Sequence, residues 1–573
     1  MSYPRYLRPL ILLLAVALAW GGASPVCGSP IQLDANPRYL NYNGQTLVLV
    51  GQSGEYLPHI ARPTRDIKYC TLGTYNNCFK NAQRTGLVDH QLDKIRIWIS
   101  LNSSIGFDKD CHGGPWPSEQ PFIWTGSVWK PRTYDDLGFF TNLKNVITQA
   151  QNLGIIVEVT LFDPWSAFGN NPHSPWNMAM NIRHRQFTQP QYMVSYDSTT
   201  FDNDPTNQDM RGTQDMLVQH VVAQLNSFDN IYYEIANEPD LAPAGVTIDP
   251  VALMNWQEHV AQIIVAAEAG LKQHLIGVNL ATQQALNILQ NDQNLPPQQQ
   301  VYGNIKLVNG HYVSFQDTSR SGALQLNQNF TLGSSHVIGF NETQSTCSPS
   351  FAGARAEAAE FLFGGGGVYD NYNLGFFDAA SDTVRNYLQY GKVLASKMPL
   401  RWINFVQTGP VPGWVSGVGT YGQPDGYGLG GNTYWSTMLQ ARNQFGLYIH
   451  HSTIPASPSA HLYSPVCNPS GYQEMNLAAK LGTAAGEFSV EWYVYDENNP
   501  GLSTTPVCST NVSWPGGSGT VPITGPRYPW DVALIVTRCP TGSGCPPEKS
   551  CAQVPIKACP PAHACSFTPL TCP

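Results

Sequence analysis

The chain has 573 residues, a formal net charge of −9 and only 12% charged residues. Nucleic-acid binding calls for clustered Lys and Arg, so that class is excluded. The length suits two or three domains, and aromatics at 11%, with 14 Trp, suit either a large core or stacking on sugar rings.

Residues 1–28 read as a secretory signal. Arg5 and Arg8 give a basic start, Ile11 to Trp20 a short apolar core, and small residues follow to Gly28. That core is too short to span a bilayer, and no other stretch is long and apolar enough, so no membrane partner is expected. Ser24-Pro25-Val26 before Cys27 is a poor lipid-attachment sequence. Removing Cys27 with the signal leaves twelve of 13 cysteines. An even number in a secreted chain points to disulfides. Zinc requires tighter Cys/His clusters, so no metal or cofactor is expected.

After a polar lead-in, Thr46 to Gly51 reads as a first strand and Ile95 to Leu101 as a second. Phe139, Phe140, Leu143, Val146, Ile147 and Ala150 recur at helical spacing. Ile155 to Phe162 is a third strand. A helical face with Leu217, Val218, Val221, Val222 and Leu225 leads to a fourth, Ile231 to Ala236. Asp249-Pro250 starts a helix, Asp as cap and Pro at the first helical position. Leu275 to Asn279, Ile305 to Val308 and a run ending at Glu342 are strands five to seven. A helix over about Ala352 to Phe363 runs into an eighth, Gly364 to Asp370. Strands alternating with helices imply a parallel sheet, and eight of them imply a closed (β/α)8 TIM barrel.

The barrel and a packing extension take residues 29–445. Between about 400 and 445 the chain is rich in Gly, Pro and aromatics, without clear periodicity. Residues 446–538 read as an all-β sandwich, with strands at Gly446 to His450, Leu477 to Leu481, Phe488 to Tyr495 and Val532 to Val536. Residues 539–573, with Cys539, Cys545, Cys551, Cys559, Cys565 and Cys572, read as a disulfide-rich tail.

Chemistry concentrates at two strand ends. Ile231 to Ala236 runs into Asn237-Glu238-Pro239-Asp240, and Val337 to Phe340 runs into Asn341-Glu342. In such a barrel the C-terminal ends of the strands line the active site. Glu55 and His59 after strand one, and Asp163 and Trp165 after strand three, face the same mouth. Trp165 and Trp176 suit either sugar stacking or the core. Glu158 and Glu234, inside strands, read as paired structural acids. Asn341-Glu342-Thr343 also matches a glycosylation sequon; a glycan there would block the cleft, so the match is discounted and a bacterial source favoured.

Over roughly residues 35 to 400 the chain resembles the clan A retaining glycoside hydrolases. The resemblance is nearest to the cellulase-like and apiosidase-like glycosidases. It rests on Asn237-Glu238-Pro239 after strand four and Glu342 three strands later. It implies Glu238 as acid/base, Glu342 as nucleophile, and Asn237 on the sugar 2-hydroxyl. It further implies Arg96 beside the nucleophile and the pair His311-Tyr312 nearby. That pair is usually split by one residue and is adjacent here, so which member points inward stays open. The apiosidase-like proteins also carry a β-domain, with a strand resembling Phe488 to Tyr493. The expectation is a glycosidase, secreted to the exterior or periplasm, with a carbohydrate substrate. A non-catalytic carbohydrate-binding protein and a surface adhesion protein remain alternatives.

Overall fold

A computed structural model describes residues 28–54, 57–59, 87–99, 120–125, 127, 129–164, 176, 205–241, 247–311, 336–342, 352–371, 380–404, 409–410, 413–418, 432–453, 464–465, 473–496, 499–528 and 531–551. Eight parallel strands close a barrel in chain order: β1 (Leu49–Ser53), β2 (Lys94–Trp98), β3 (Ile156–Phe162), β4 (Ile231–Ala236), β5 (Ile276–Leu280), β6 (Leu307–His311), β7 (Val337–Glu342) and β8 (Val368–Asn371). All eight expected strands are present.

Buried runs such as Ile-Val-Glu-Val-Thr-Leu-Phe in β3 form strands because β-branched side chains pack well on a pleated sheet. Alternation then sorts their side chains. Val157, Val159 and Leu161 join the core shared with the helices. Glu158 and Thr160 turn the other way and bond side chains of β4.

The outer ring includes α1 (Phe139–Asn152), α2 (Pro205–Leu225), α3 (Pro250–Ala267), α4 (Gln283–Gln293), α5 (Ala352–Phe363) and α6 (Ala380–Ser396). In α1 the six apolar positions expected to face the core are all buried. Asp249 caps α3, accepting from the N–H groups of Val251 and Ala252 at 2.8 Å each, with Pro250 at the first turn. Helices α4 and α6 are not among the elements read from the sequence, although in α6 Val384, Tyr387, Leu388, Leu394 and Ala395 recur at helical spacing and are buried.

The lead-in is more than a polar segment. Gln32–Leu33, Leu40–Tyr42 and Gln45–Leu47 form a three-stranded antiparallel sheet. Ile31 and Leu40 share a cluster with Leu49, Ile156, Leu307, Val337 and Val368, the first residues of their strands or their neighbours. The sheet therefore plugs the N-terminal end of the barrel and leaves chemistry to the opposite mouth.

The C-terminal domain packs a seven-stranded antiparallel sheet against a three-stranded one. Its main strands are β9 (Asn432–Ala441), β10 (Gln444–Thr453), β11 (Gln473–Ala479), β12 (Gly486–Tyr493), β13 (Cys508–Trp514), β14 (Val521–Tyr528) and β15 (Asp531–Arg538). Leu447, Ile449, Val490 and Trp492 of one sheet meet Leu477 and Ile523 of the other in one core. Strand β9 pairs with β10 along its whole length, so the segment before 446 supplies part of this sheet. Cys508–Cys551 staples the start of the tail to β13, and Cys539–Cys545 closes a small loop. Against the barrel, Arg355 of α5 donates to Asp531 at 2.7 and 3.1 Å. Among the described residues no helix is long and apolar enough to cross a membrane.

Candidate active site

The barrel interior is a stack of polar side chains. Lowest are Lys94, Glu158, Tyr232 and Asp370. Lys94 Nζ lies 2.5 Å from Glu158 and 2.8 Å from Asp370, all three side chains fully buried in the case of Lys94 and its two acids. The Tyr232 hydroxyl donates to Glu158 at 2.9 Å. The two acids inside strands are thus paired structural groups: Glu158 with Lys94, and Glu234 with Arg96.

The next layer centres on Glu234. Arg96 donates to its Oε2 through Nε at 2.8 Å and Nη2 at 2.6 Å, and Thr160 Oγ1 adds a bond of 2.6 Å. Its Oε1 accepts from Asn279 at 3.2 Å, Asn309 at 3.0 Å and Asn341 at 2.8 Å. Burial opposes the charge on Glu234, but Arg96 and these donors overcome it and hold the carboxyl down at about 2. The same Arg96 donates to Asn237 Oδ1 at 2.8 Å. Sequence reasoning places Arg96 beside the nucleophile, whose side chain is outside the described set; among the described residues the Arg96 guanidinium bonds Thr160, Glu234 and Asn237. That contact orients the Asn237 amide and leaves Nδ2 without a hydrogen bond among the described residues.

Above sits Glu238, just past the end of β4. Its φ is 42°, the left-handed region, where a residue with a Cβ costs about 1–3 kcal/mol and the surroundings must hold it. They do: its N–H donates to Asn279 Oδ1 at 3.1 Å. Of the adjacent pair His311-Tyr312, His311 points inward. It is fully buried, and Nδ1 lies 3.0 Å from Glu238 Oε1. On its other side, Nε2 faces both a donor, Asn279 Nδ2, and an acceptor, Asn341 Oδ1 at 2.6 Å. A register shift in the β6–β7 ladder pairs His311 with Glu342. Glu342 is the last residue of β7, and its side chain lies outside the described set, as do Glu55, Trp165 and Tyr312.

Asn279, Asn309 and Asp240 had been given no role from sequence. The usable signal was an amide within each short apolar strand, where a buried polar side chain needs partners. Gly339 makes room for Asn309: a Cβ there would stand 1.9 Å from Asn309 Oδ1. Asp240 accepts from Ala281 N–H, Thr282 N–H at 2.6 Å and Thr282 Oγ1 at 2.7 Å. Thr282 in turn caps α4. The loop after β4 is thereby tied to the loop after β5, and Glu238 is fixed from both sides. Asp240→Asn is expected to weaken this clamp and cut kcat while leaving the fold intact; an unchanged kcat would show the clamp to be idle.

Two expected loop groups are structural. His59 Nε2 bonds Trp98 O at 2.9 Å, and the ring lies against Phe139. Trp176 is in the core, edge-on to Phe122. Asn341 is fully buried and bonded to Glu158, Glu234 and His311, so it is closed to glycosylation in the folded chain.

Among these buried groups two cations, Lys94 and Arg96, face three acids, Glu158, Glu234 and Asp370. One acid is favoured in its neutral form. Burial, reinforced by Glu234 and opposed by Lys94, pushes Glu158 up to about 7. A proton on its Oε2 has a partner, because the Tyr232 hydroxyl accepts as well as donates. The folded chain therefore keeps this proton where the unfolded chain has lost it. Stability is full below the ordinary 4.5 and falls as pH rises through about 7. The loss is about 3 kcal/mol at most. Urea unfolding of wild type and Glu158→Gln from pH 5 to 7.5 should show this part of the slope absent in the variant; parallel slopes would refute the assignment.

No family model matches the chain. No curated protein matches it either. Among solved structures it is similar to a protein from Bacteroides vulgatus ATCC 8482 assigned to the glycoside hydrolases, at 13% identity and TM-score 0.48, over 90% of this chain and 84% of the other. A glucosidase from Croceicoccus marinus aligns at 12% identity and TM-score 0.40, over 86% and 96%. The endo-1,4-β-mannanase from Rhizomucor miehei aligns at 13% and 0.40, over 65% of this chain and all of the mannanase.

Proposed function

We propose that the chain is a secreted retaining glycoside hydrolase that cleaves O-glycosidic bonds in a poly- or oligosaccharide by double displacement. One observation carries the reading. His311 bonds the carboxylate of Glu238 and is the ladder partner of Glu342, so both Asn-Glu strand ends meet around one buried imidazole. Neighbouring strands lie about 4.8 Å apart, so the backbone of Glu342 lies beside that of His311, whose ring bonds Glu238.

In this reading Glu238 protonates the leaving oxygen while Glu342 attacks the anomeric carbon. The C–O bond to the leaving group breaks as the glycosyl ester forms. Water, deprotonated by Glu238, then displaces Glu342 and restores both groups. Asn237, its Oδ1 held by Arg96, presents Nδ2 to the sugar 2-hydroxyl, a contact that strengthens at the transition state. Secretion fits the basic-then-apolar start of the chain and the two disulfides.

The test is product analysis of the purified full chain on a panel of plant and microbial polysaccharides, with Glu342→Gln as control. Release of sugars by wild type alone supports the reading. Binding without release from every substrate would replace it with a sugar-binding role.

Arg96→Met should uncouple two effects. Glu234 would be left as a buried, unpaired charge, a loss of about 3–5 kcal/mol in urea unfolding. Asn237 would lose its anchor, so kcat should fall even at temperatures where the variant is folded. Retention of both stability and kcat would remove Arg96 from the site.

A further inference from the structure

The β-domain carries a cleft of about 590 Å³ that the barrel chemistry does not use. Its walls are the β9–β10 turn, the loop after β11, and the segment from Arg538 to Thr541. Arg442, Lys480 and Arg538 line it, and no Asp or Glu does, in a chain whose formal net charge is −9. Arg442 is exposed and Lys480 partly so. Neither has an ion-pair partner among the described residues, so both positive heads remain available. Arg538 is fixed: Nη2 donates to Ala485 O at 2.6 Å, and the guanidinium lies over Phe488 at 5.9 Å.

The remaining wall is aromatic. Trp414 is partly exposed and stands edge-on to Phe445, centroids 5.5 Å apart at 83°. The rim is tied down. Arg538 N–H donates to Asn443 O at 2.9 Å, Cys539 N–H donates to Glu487 O at 2.9 Å, and Cys539 is held by its disulfide to Cys545. Such a cleft is formed before any ligand arrives, which lowers the entropy lost on binding.

The cleft is also remote from the barrel mouth. Helix α5 follows β7 and so runs back from the mouth toward the plugged end. Arg355, near its start, meets Asp531, the ladder partner of His450. Phe363, its last residue, meets Gly446. The β9–β10 turn therefore lies at the plugged end.

We propose that this cleft binds an acidic polysaccharide through its uronate carboxylates. An aromatic face packs on the C–H face of a sugar ring. Guanidinium forks match carboxylates in geometry as well as charge, and ammonium adds a point charge. A neutral glycan would need none of the three cations, and a bare phosphate would have no use for Trp414. The site would hold the barrel on a charged polymer whatever bond the barrel acts on.

The test is affinity electrophoresis of the full chain in gels containing polygalacturonate, neutral glucomannan or dextran sulfate. Polygalacturonate should retard the chain and glucomannan should not. The double variant Arg442→Ser, Lys480→Ser should weaken retardation about tenfold or more, with an unchanged thermal midpoint and unchanged barrel activity on any small substrate. Trp414→Ala should weaken it as well. No retardation by polygalacturonate, or full retardation of the double variant, would overturn the proposal. So would equal retardation by dextran sulfate combined with no effect of Trp414→Ala, since charge alone would then explain binding. Because the readout is binding, a chain without hydrolytic activity could still pass, and an active hydrolase could still fail.

Discussion

Glu342→Gln is expected to abolish turnover on every glycoside, whereas Glu238→Ala is expected to fail selectively. The asymmetry follows from the two roles. Without a nucleophile no glycosyl-enzyme forms, and a good leaving group does not help. Without the acid, only substrates that need protonation suffer. General acid assistance is worth roughly 10²–10⁴ in rate, so Glu238→Ala should lose about that much on natural sugars and little in the first step on nitrophenyl glycosides. Its second step also lacks a base. Azide, which needs no deprotonation, should restore that step and leave a glycosyl azide detectable by mass spectrometry. The carboxylate of Glu238 touches His311, so His311→Ala should shift the basic limb of the pH profile without copying the azide rescue. Near-wild-type rates for Glu342→Gln on any glycoside would remove it from the reaction.

The barrel was legible because its strands are short apolar runs separated by amphipathic helices, and each signal is local. Asp249-Pro250 and the stripe from Phe139 to Ala150 need no tertiary context to be read. The plugging sheet at 32–47 and helix α4 escaped because their apolar faces are assembled from distant positions: Leu40 is buried by Leu49, Ile156 and Leu307. Strand β9 escaped because its pairing with β10 is a long-range fact hidden in a Gly- and aromatic-rich stretch.

The site divides the same way. Asn237 and Glu238 stood out as residue types at a strand end. The ring of Asn279, Asn309 and Asn341 could not be assigned partners from sequence, since each amide is defined by groups on two to four other strands. Arg96 shows the limit clearly. Its strand is readable from sequence, while its contacts to Glu234 and Asn237 follow from the layer of the barrel it reaches.

Hydrolysis is expected to retain anomeric configuration, and the argument is geometric. Glu238 follows β4 and Glu342 ends β7, both at the mouth opposite the plugging sheet. Ladder pairing sets His311 beside Glu342, while the His311 side chain reaches Glu238 at 3.0 Å. One imidazole thus reaches from β6, the strand beside that of Glu342, to the Glu238 carboxylate. Double displacement calls for the two carboxyl groups to stand about 5–5.5 Å apart. Inversion needs roughly 6.5–9.5 Å, room for a water between carboxylate and sugar. The first product released should therefore carry the substrate's anomeric form, read by proton NMR before mutarotation. A 2-fluoro sugar with a good leaving group and the right stereochemistry should trap the intermediate, and peptide mapping should place the label on Glu342. The earliest NMR spectra showing the opposite anomer would exclude double displacement. A label on Glu238 instead would keep the mechanism and exchange the two roles.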